Sequence, residues 1–191
     1  EPFLRTLFAT CDTLLGNTAL VSRLPVFDLL ITKLCSCCYE REWYSKIGGC
    51  QGISIMTSKL DLGVHWMRKH ETRLVRALLF VLKDLAPEIN VGAVELAQST
   101  LAHVLEACNR RPAEGEPHQE EHQRLFQEIV KLLLGDLANA NETVRRTVQS
   151  SFQLLSTLSG VEITTMMEPH RERLLSPIFN KPLRALPVTL Q

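Results

Sequence analysis

Four strings in the chain carry residue types that could do chemistry. Cys35-Ser36-Cys37-Cys38 contains a Cys-x-x-Cys. A redox pair of that kind belongs at a helix N-terminus, where the positive end of the dipole stabilises thiolate. Here the apolar spacing puts it at a helix C-terminus, which opposes thiolate. Zinc would need two more ligands, and the nearest candidates, Cys50 and His65, form no second knuckle. Buried thiols are the better reading. His118-Gln119-Glu120-Glu121-His122 matches the metalloprotease string His-x-x-Glu-His, and two His at i and i+4 could share a metal. They sit in a polar stretch beside Pro117 with no evident third ligand, so a solvated helix start is favoured over a metal-dependent enzyme. Gly48-Gly49-Cys50-Gln51-Gly52 is no phosphate loop, since no strand precedes it and no Lys-Ser/Thr follows. Arg68, Lys69, His70, Arg73 and Arg76 form a local basic strip, with Lys69, Arg73 and Arg76 on one helix face. Its default reading is a solvated face, and the functional alternative is a contact for an acidic partner segment. No catalytic residue, cofactor or metal site is assigned.

The elements that would hold these residues are helices. The chain is organised around Leu34–Leu60, which reads as a helix end, a polar corner at Tyr39-Glu40-Arg41-Glu42, and a second helix packed back on the first. Trp43, Ile47, Cys50 and Ile53 to Met56 recur at helical spacing, with Trp43 expected in the core. Gly48, Gly49 and Gly52 lie on that helix. Each costs about 1 kcal/mol against Ala, a cost accepted where a neighbouring backbone comes close. Upstream, Pro2–Leu15 carries an apolar stripe of Phe3, Leu4, Leu7, Phe8, Cys11, Leu14 and Leu15. A second helix starts near Ser22, with Pro25 tolerated in its first turn.

Downstream, Leu62–Met67 is predicted as a short amphipathic piece and His70–Leu85 as a separate helix. Val91–Asn109 follows, with Asn90 as N-cap. Arg110–Gln119 is a polar Pro/Gly loop. Further helices are predicted over Glu120–Leu137, Val144–Leu158 and Glu162–Leu175. Asn141 caps the second of these, which accounts for the sequon Asn141-Glu142-Thr143, and Gly160 ends it. Pro177, Pro182 and Pro187 keep the tail from forming a long helix.

Composition agrees. Hydrophobic residues make up 45% and charged residues 22%, and aromatic residues are scarce. Lys plus Arg equals Asp plus Glu at 21 each, which removes the general electrostatic case for nucleic acid or an anionic membrane. The longest apolar run, Ala77–Leu82, is far short of the ~20 residues that span a bilayer. The start has neither Met nor a signal-peptide pattern, and the chain reads as a piece of something longer. The six Cys fall on apolar helical faces, which suits reduced thiols in an intracellular protein.

Three corner-plus-helix units superpose. Gly49, Ala97 and Val148 are equivalent, then Ile53, Leu101 and Phe152, then Met56, Val104 and Leu155. The offsets, 48 and 51 residues, lie near the ~40–47 of HEAT-type helix pairs. The expected fold is therefore all-α, an α-solenoid of HEAT-like antiparallel helix pairs over residues 1–176. Residues 177–191 would form a Pro-containing tail that opens a further segment. An ordinary helical bundle is the alternative. A solenoid fragment would expose apolar faces at both ends.

These blocks also carry a resemblance. SRLPVFDLLITKLCSCCYEREWYSKIGGCQGI (Ser22–Ile53), ALLFVLKDL (Ala77–Leu85), INVGAVELAQSTL (Ile89–Leu101) and MEPHRERL (Met167–Leu174) resemble, in order, the HEAT-repeat region of the transformation/transcription domain-associated protein family. That family comprises very large helical scaffolds related to the phosphatidylinositol-3-kinase-like kinases, with a kinase-like domain that lacks catalytic residues. The resemblance implies a non-enzymatic, nuclear scaffold segment without cofactor. It also implies partners among histone acetyltransferase subunits and acidic activator segments; the residues themselves nominate Arg68, Lys69, Arg73 and Arg76 as the contact, with the corner Glu40–Trp43 as the other candidate. A generic HEAT adaptor is the alternative function.

Overall fold

Local chemistry sets most helix ends. Pro25 begins a helix because its missing N–H is not needed there. Asn141 accepts hydrogen bonds from the Thr143 and Val144 amides, and Gly160 closes the same helix in the left-handed conformation that glycine tolerates. The computed structural model describes residues 2–85, 91–110 and 119–174. Its elements are α1 (Pro2–Leu15), α2 (Thr18–Val21), α3 (Pro25–Cys38), α4 (Trp43–Ser58), α5 (Gly63–Asp84), α6 (Val91–Asn109), α7 (Gln119–Asp136), α8 (Glu142–Ser159), α9 (Ile163–Met167), a 3₁₀ turn (Glu168–His170) and α10 (Arg171–Leu174). No strand occurs among the described residues.

The helices pair as α3 with α4, α5 with α6, and α7 with α8. Consecutive pairs then stack first helix on first helix (α3, α5, α7) and second on second (α4, α6, α8). This is a HEAT-type α-solenoid. All nine positions superposed from the sequence are buried, and they lie on α4, α6 and α8. Polar bridges tie each layer. His103 Nε2 lies 3.0 Å from the Thr57 carbonyl across α4 and α6, and Gln98 donates to Thr147 Oγ1 at 2.7 Å across α6 and α8.

The Gly-bearing helix packs as its spacing requires, with one exception. A Cβ on Gly49 would sit 2.8 Å from both the Leu34 carbonyl oxygen and Cys38 Sγ, and one on Gly52 would overlap the Leu34 side chain. Gly48 is exposed and meets nothing, so close packing explains two glycines and not the third.

Four expectations are corrected. Leu62–Met67 and His70–Leu85 belong to a single helix, α5, because Arg68, Lys69 and His70 hydrogen-bond to neighbouring helices and do not mark a break. Trp43 is 51% exposed, because it opens α4 one turn before Lys46 and two turns before Cys50, where the helix becomes buried. The stripe of α1 divides. Leu4, Leu7, Phe8 and Cys11 pack on the core, whereas Phe3 and Leu14 are mostly exposed. The last predicted helix is broken into α9, the 3₁₀ turn at Pro169 and α10. Asn90, most of the loop over 110–119 and the tail over 177–191 lie outside the described residues. No described helix is long and apolar enough to cross a membrane.

Candidate interaction surface on the first-helix layer

The basic strip lies on α5, between α3 and α7, and its members have different surroundings. Asp28 of α3 is the reason. Its Oδ1 accepts from Trp66 Nε1 at 3.0 Å and lies 2.8 Å from His70 Nε2, while Lys69 Nζ donates to Oδ2 at 2.5 Å. Burial would raise the Asp28 pKa, but the Lys69 and His70 contacts prevail and hold it below the usual value. Burial depresses His70 despite its carboxylate partner. A neutral imidazole donating to a carboxylate satisfies both. One turn on, Arg73 donates to Thr32 Oγ1. Asp28 and Thr32 thus join α3 to α5, and Lys69 and Arg73 remain exposed at the rim.

Arg68 points the other way and donates to the Cys108 carbonyl of α6 at 3.0 Å. Arg76 is exposed and lines a groove of about 570 Å³ between α5 and α7, together with Lys83, Glu128, Lys131, Leu132 and Asp136. Within it Lys83 pairs with Asp136 at 3.0 Å. Asp136 also accepts from Asn139, which orders the corner before α8. The four sequence-nominated residues therefore do not form one patch. Arg68 serves the α5–α6 interface, Lys69 and Arg73 the α3–α5 seam, and Arg76 the groove.

Two buried charges were not singled out from the sequence. Lys46 is 2% exposed and is held by the Glu40 carbonyl, by Asp84 at 3.1 Å and by the Phe80 ring, 5.6 Å from its centroid. Glu71 is 1% exposed, between α5 and α6. Asn109 Nδ2 donates to its Oε1 at 2.5 Å and to the Leu105 carbonyl, while Asn109 Oδ1 has no donor among the described residues. Burial pushes the Glu71 carboxyl up to about 7, against the Asn109 bond and the Arg68 charge.

The cysteines pack rather than react. Cys35, Cys38 and Cys50 are buried, and the Cys38 and Cys50 thiols hydrogen-bond to each other. That bond and burial push Cys38 upward, and burial pushes Cys35 up to about 12. No group of three metal-ligating side chains occurs among the described residues, which include His122 but not His118.

Paired helices stacked in two layers define an architecture shared by many proteins, so similarity along the chain decides the family. The sequence model of the Tra1 HEAT repeat ring region matches residues 1–191. The chain belongs to the Tra1 HEAT-repeat ring family. It is 34% identical over 176 residues to the human transformation/transcription domain-associated protein, covering 90% of this chain and 4% of that protein. It is 32% identical over 154 residues to the SAGA complex/NuA4 acetyltransferase complex subunit TRA1 of Saccharomyces cerevisiae, covering 81% of this chain and 4% of the relative. The Schizosaccharomyces pombe subunit Tra1 is 31% identical over 179 residues, 93% of this chain and 5% of the relative. The chain thus spans about one twenty-fifth of the length of the first relatives it matches. Tra1-ring membership accounts for the stacked pairs and assigns no chemistry to any side chain described above.

Proposed function

We propose that this chain is a non-enzymatic, nuclear scaffold segment, extending over residues 1–176, that helps to assemble a histone acetyltransferase complex. The observation that carries the reading is the match of the whole chain to the Tra1 ring region, on a two-layer helix stack. Such a stack performs no reaction. It fixes the spacing of surfaces on which other subunits dock. The unburied face of α1 supports a further repeat packing there in the assembled protein. The test is to purify the endogenous protein from nuclear extract with an antibody against this chain and to assay histone acetyltransferase activity. Co-purifying activity is expected, and its absence would remove the assignment while leaving the solenoid.

The finer reading is that an acidic activator segment docks on the outward part of the strip, at Arg76 with Lys69 and Arg73, while Arg68 serves the α5–α6 interface. Arg76 supports it most, because it opens on a groove that also holds Lys131. The segment would bind by laying an amphipathic helix between α5 and α7. Arg76→Glu with Lys131→Glu should weaken an acidic peptide by about tenfold, and added salt should weaken the parent complex. Unchanged binding in both cases would refute the contact.

A further inference from the structure

The corner between α3 and α4 presents aromatic surface that the fold does not use. Tyr39 is 46% exposed, Trp43 51% and Tyr44 60%. The Trp43 and Tyr44 rings stand at 78° to each other with centroids 5.9 Å apart, so their faces open in different directions. Beside them lie two carboxylates. Glu42 occupies the N-cap position of α4, yet its side chain caps nothing, and Glu40 is likewise exposed. Neither carboxylate makes a hydrogen bond or ion pair with a described residue. Arg41, between them, is exposed too. The other cation on this corner, Lys46, is buried against Asp84. Arg76 of α5 lies on the Tyr39 side.

The corner is also held rigid from beneath. The Lys46 ammonium is bound by the Glu40 carbonyl and by Asp84 and lies over Phe80, and the Phe80 ring packs against Tyr39 with centroids 5.0 Å apart. Rings on a fixed backbone lose little conformational freedom when a partner arrives.

We infer that this corner is a docking surface for a cationic, Lys- or Arg-rich segment of another protein. The chemistry is complementary in two ways. Exposed Trp and Tyr faces attract guanidinium and ammonium groups through the ring quadrupole. Glu40 and Glu42, without a partner among the described residues, offer carboxylates to the same groups, opposed by Arg41 and, on the Tyr39 side, by Arg76. The surface takes the opposite charge from the α5–α7 groove, and Arg76, which borders Tyr39, works against a cation here.

Fluorescence anisotropy of a labelled Lys/Arg–Gly peptide, titrated with the 191-residue chain, tests this. The cationic peptide should bind, more weakly as salt is raised, and its Glu-substituted counterpart should not bind at the corner. Trp43→Ala with Tyr44→Ala, and separately Glu40→Gln with Glu42→Gln, should each weaken binding by about tenfold. All four side chains are exposed, so the thermal midpoint should stay at the parent value. Glu40→Lys with Glu42→Lys should reverse the preference between the two peptides. Lys131→Glu, in the groove, should leave cationic binding unchanged, which separates this surface from the groove. No binding of the cationic peptide, or equal binding by parent and both neutral variants, would overturn the inference.

Discussion

Glu71 should make the stability of this chain fall as pH rises through neutrality, and Glu71→Gln should remove that dependence. The carboxyl is buried between α5 and α6, and Asn109 donates to one of its oxygens while the Asn109 carbonyl oxygen lacks a donor among the described residues. A neutral Glu71 can return the bond through its hydroxyl and close an acid–amide ring. An ionised Glu71 cannot, and it leaves a charge in low dielectric. The folded pKa, about 7, lies above the ordinary value of 4.5. An acid whose folded value is raised contributes stability that is fully present below the unfolded value, lost between about 4.5 and about 7, and constant above that. At roughly 1.4 kcal/mol per unit, the loss between about pH 5 and about pH 8 is about 2–3 kcal/mol. Gln keeps both amide-type bonds and does not titrate. Because His70 is depressed by burial, it adds an opposite slope below its usual 6.5 in parent and variant alike. The informative quantity is therefore the difference between the two proteins. Urea unfolding followed by helical circular dichroism at each pH measures it. Parallel curves for parent and variant would refute the reasoning, because Glu71 would then be ionised throughout.

Asp28→Ala leaves the Trp66 and His70 donors without their carboxylate and should cost about 2–4 kcal/mol in urea unfolding. The same carboxylate, depressed on folding, contributes stability above its ordinary value near 3.8 that is lost as pH falls below it, so the Ala variant should show a flatter acid limb. Gly49→Ala should lower stability by about 1–3 kcal/mol, because the new methyl meets the Leu34 carbonyl. Gly48→Ala, in open space on the same helix, should raise it by up to about 1 kcal/mol. Paired thermal melts check both, and equal shifts would refute the close-approach account. A thiol reagent at mild alkaline pH should label Cys11 and Cys37 quickly and the four buried cysteines only on unfolding. Fast labelling of Cys35 or Cys38 would contradict the packing described.

The fold was legible where its signals are local. Apolar spacing marked the helices, Asn141 and Gly160 marked ends, and the equivalence of Ile53, Leu101 and Phe152 marked the stacking. It was less legible where polar residues serve distant partners. Arg68-Lys69-His70 looked like an interruption because Asp28 and the Cys108 carbonyl lie about 40 residues away in sequence. The candidate surface was harder still. A row of cations on one helix does not show which of them face an acceptor, so Lys69 and Arg76 looked alike. Lys46 and Glu71 did carry a signal. Each falls in register with the inward face of its helix, where a charge is rare and must be paired or neutral.

Lys46 also records the history of each molecule. Its amine is sealed beneath the corner, whereas Lys33, Lys59, Lys69, Lys83 and Lys131 stand in solvent. An acylating reagent, chemical or enzymatic, reaches those five on the folded chain but reaches Lys46 only when the corner opens. Once acylated, that side chain can no longer pair with Asp84. The mark would therefore be selective for chains that had been open, and would hinder their closing again. The ratio of modification at Lys46 to that at its exposed neighbours is a clock for local unfolding, readable by mass spectrometry in a mixture.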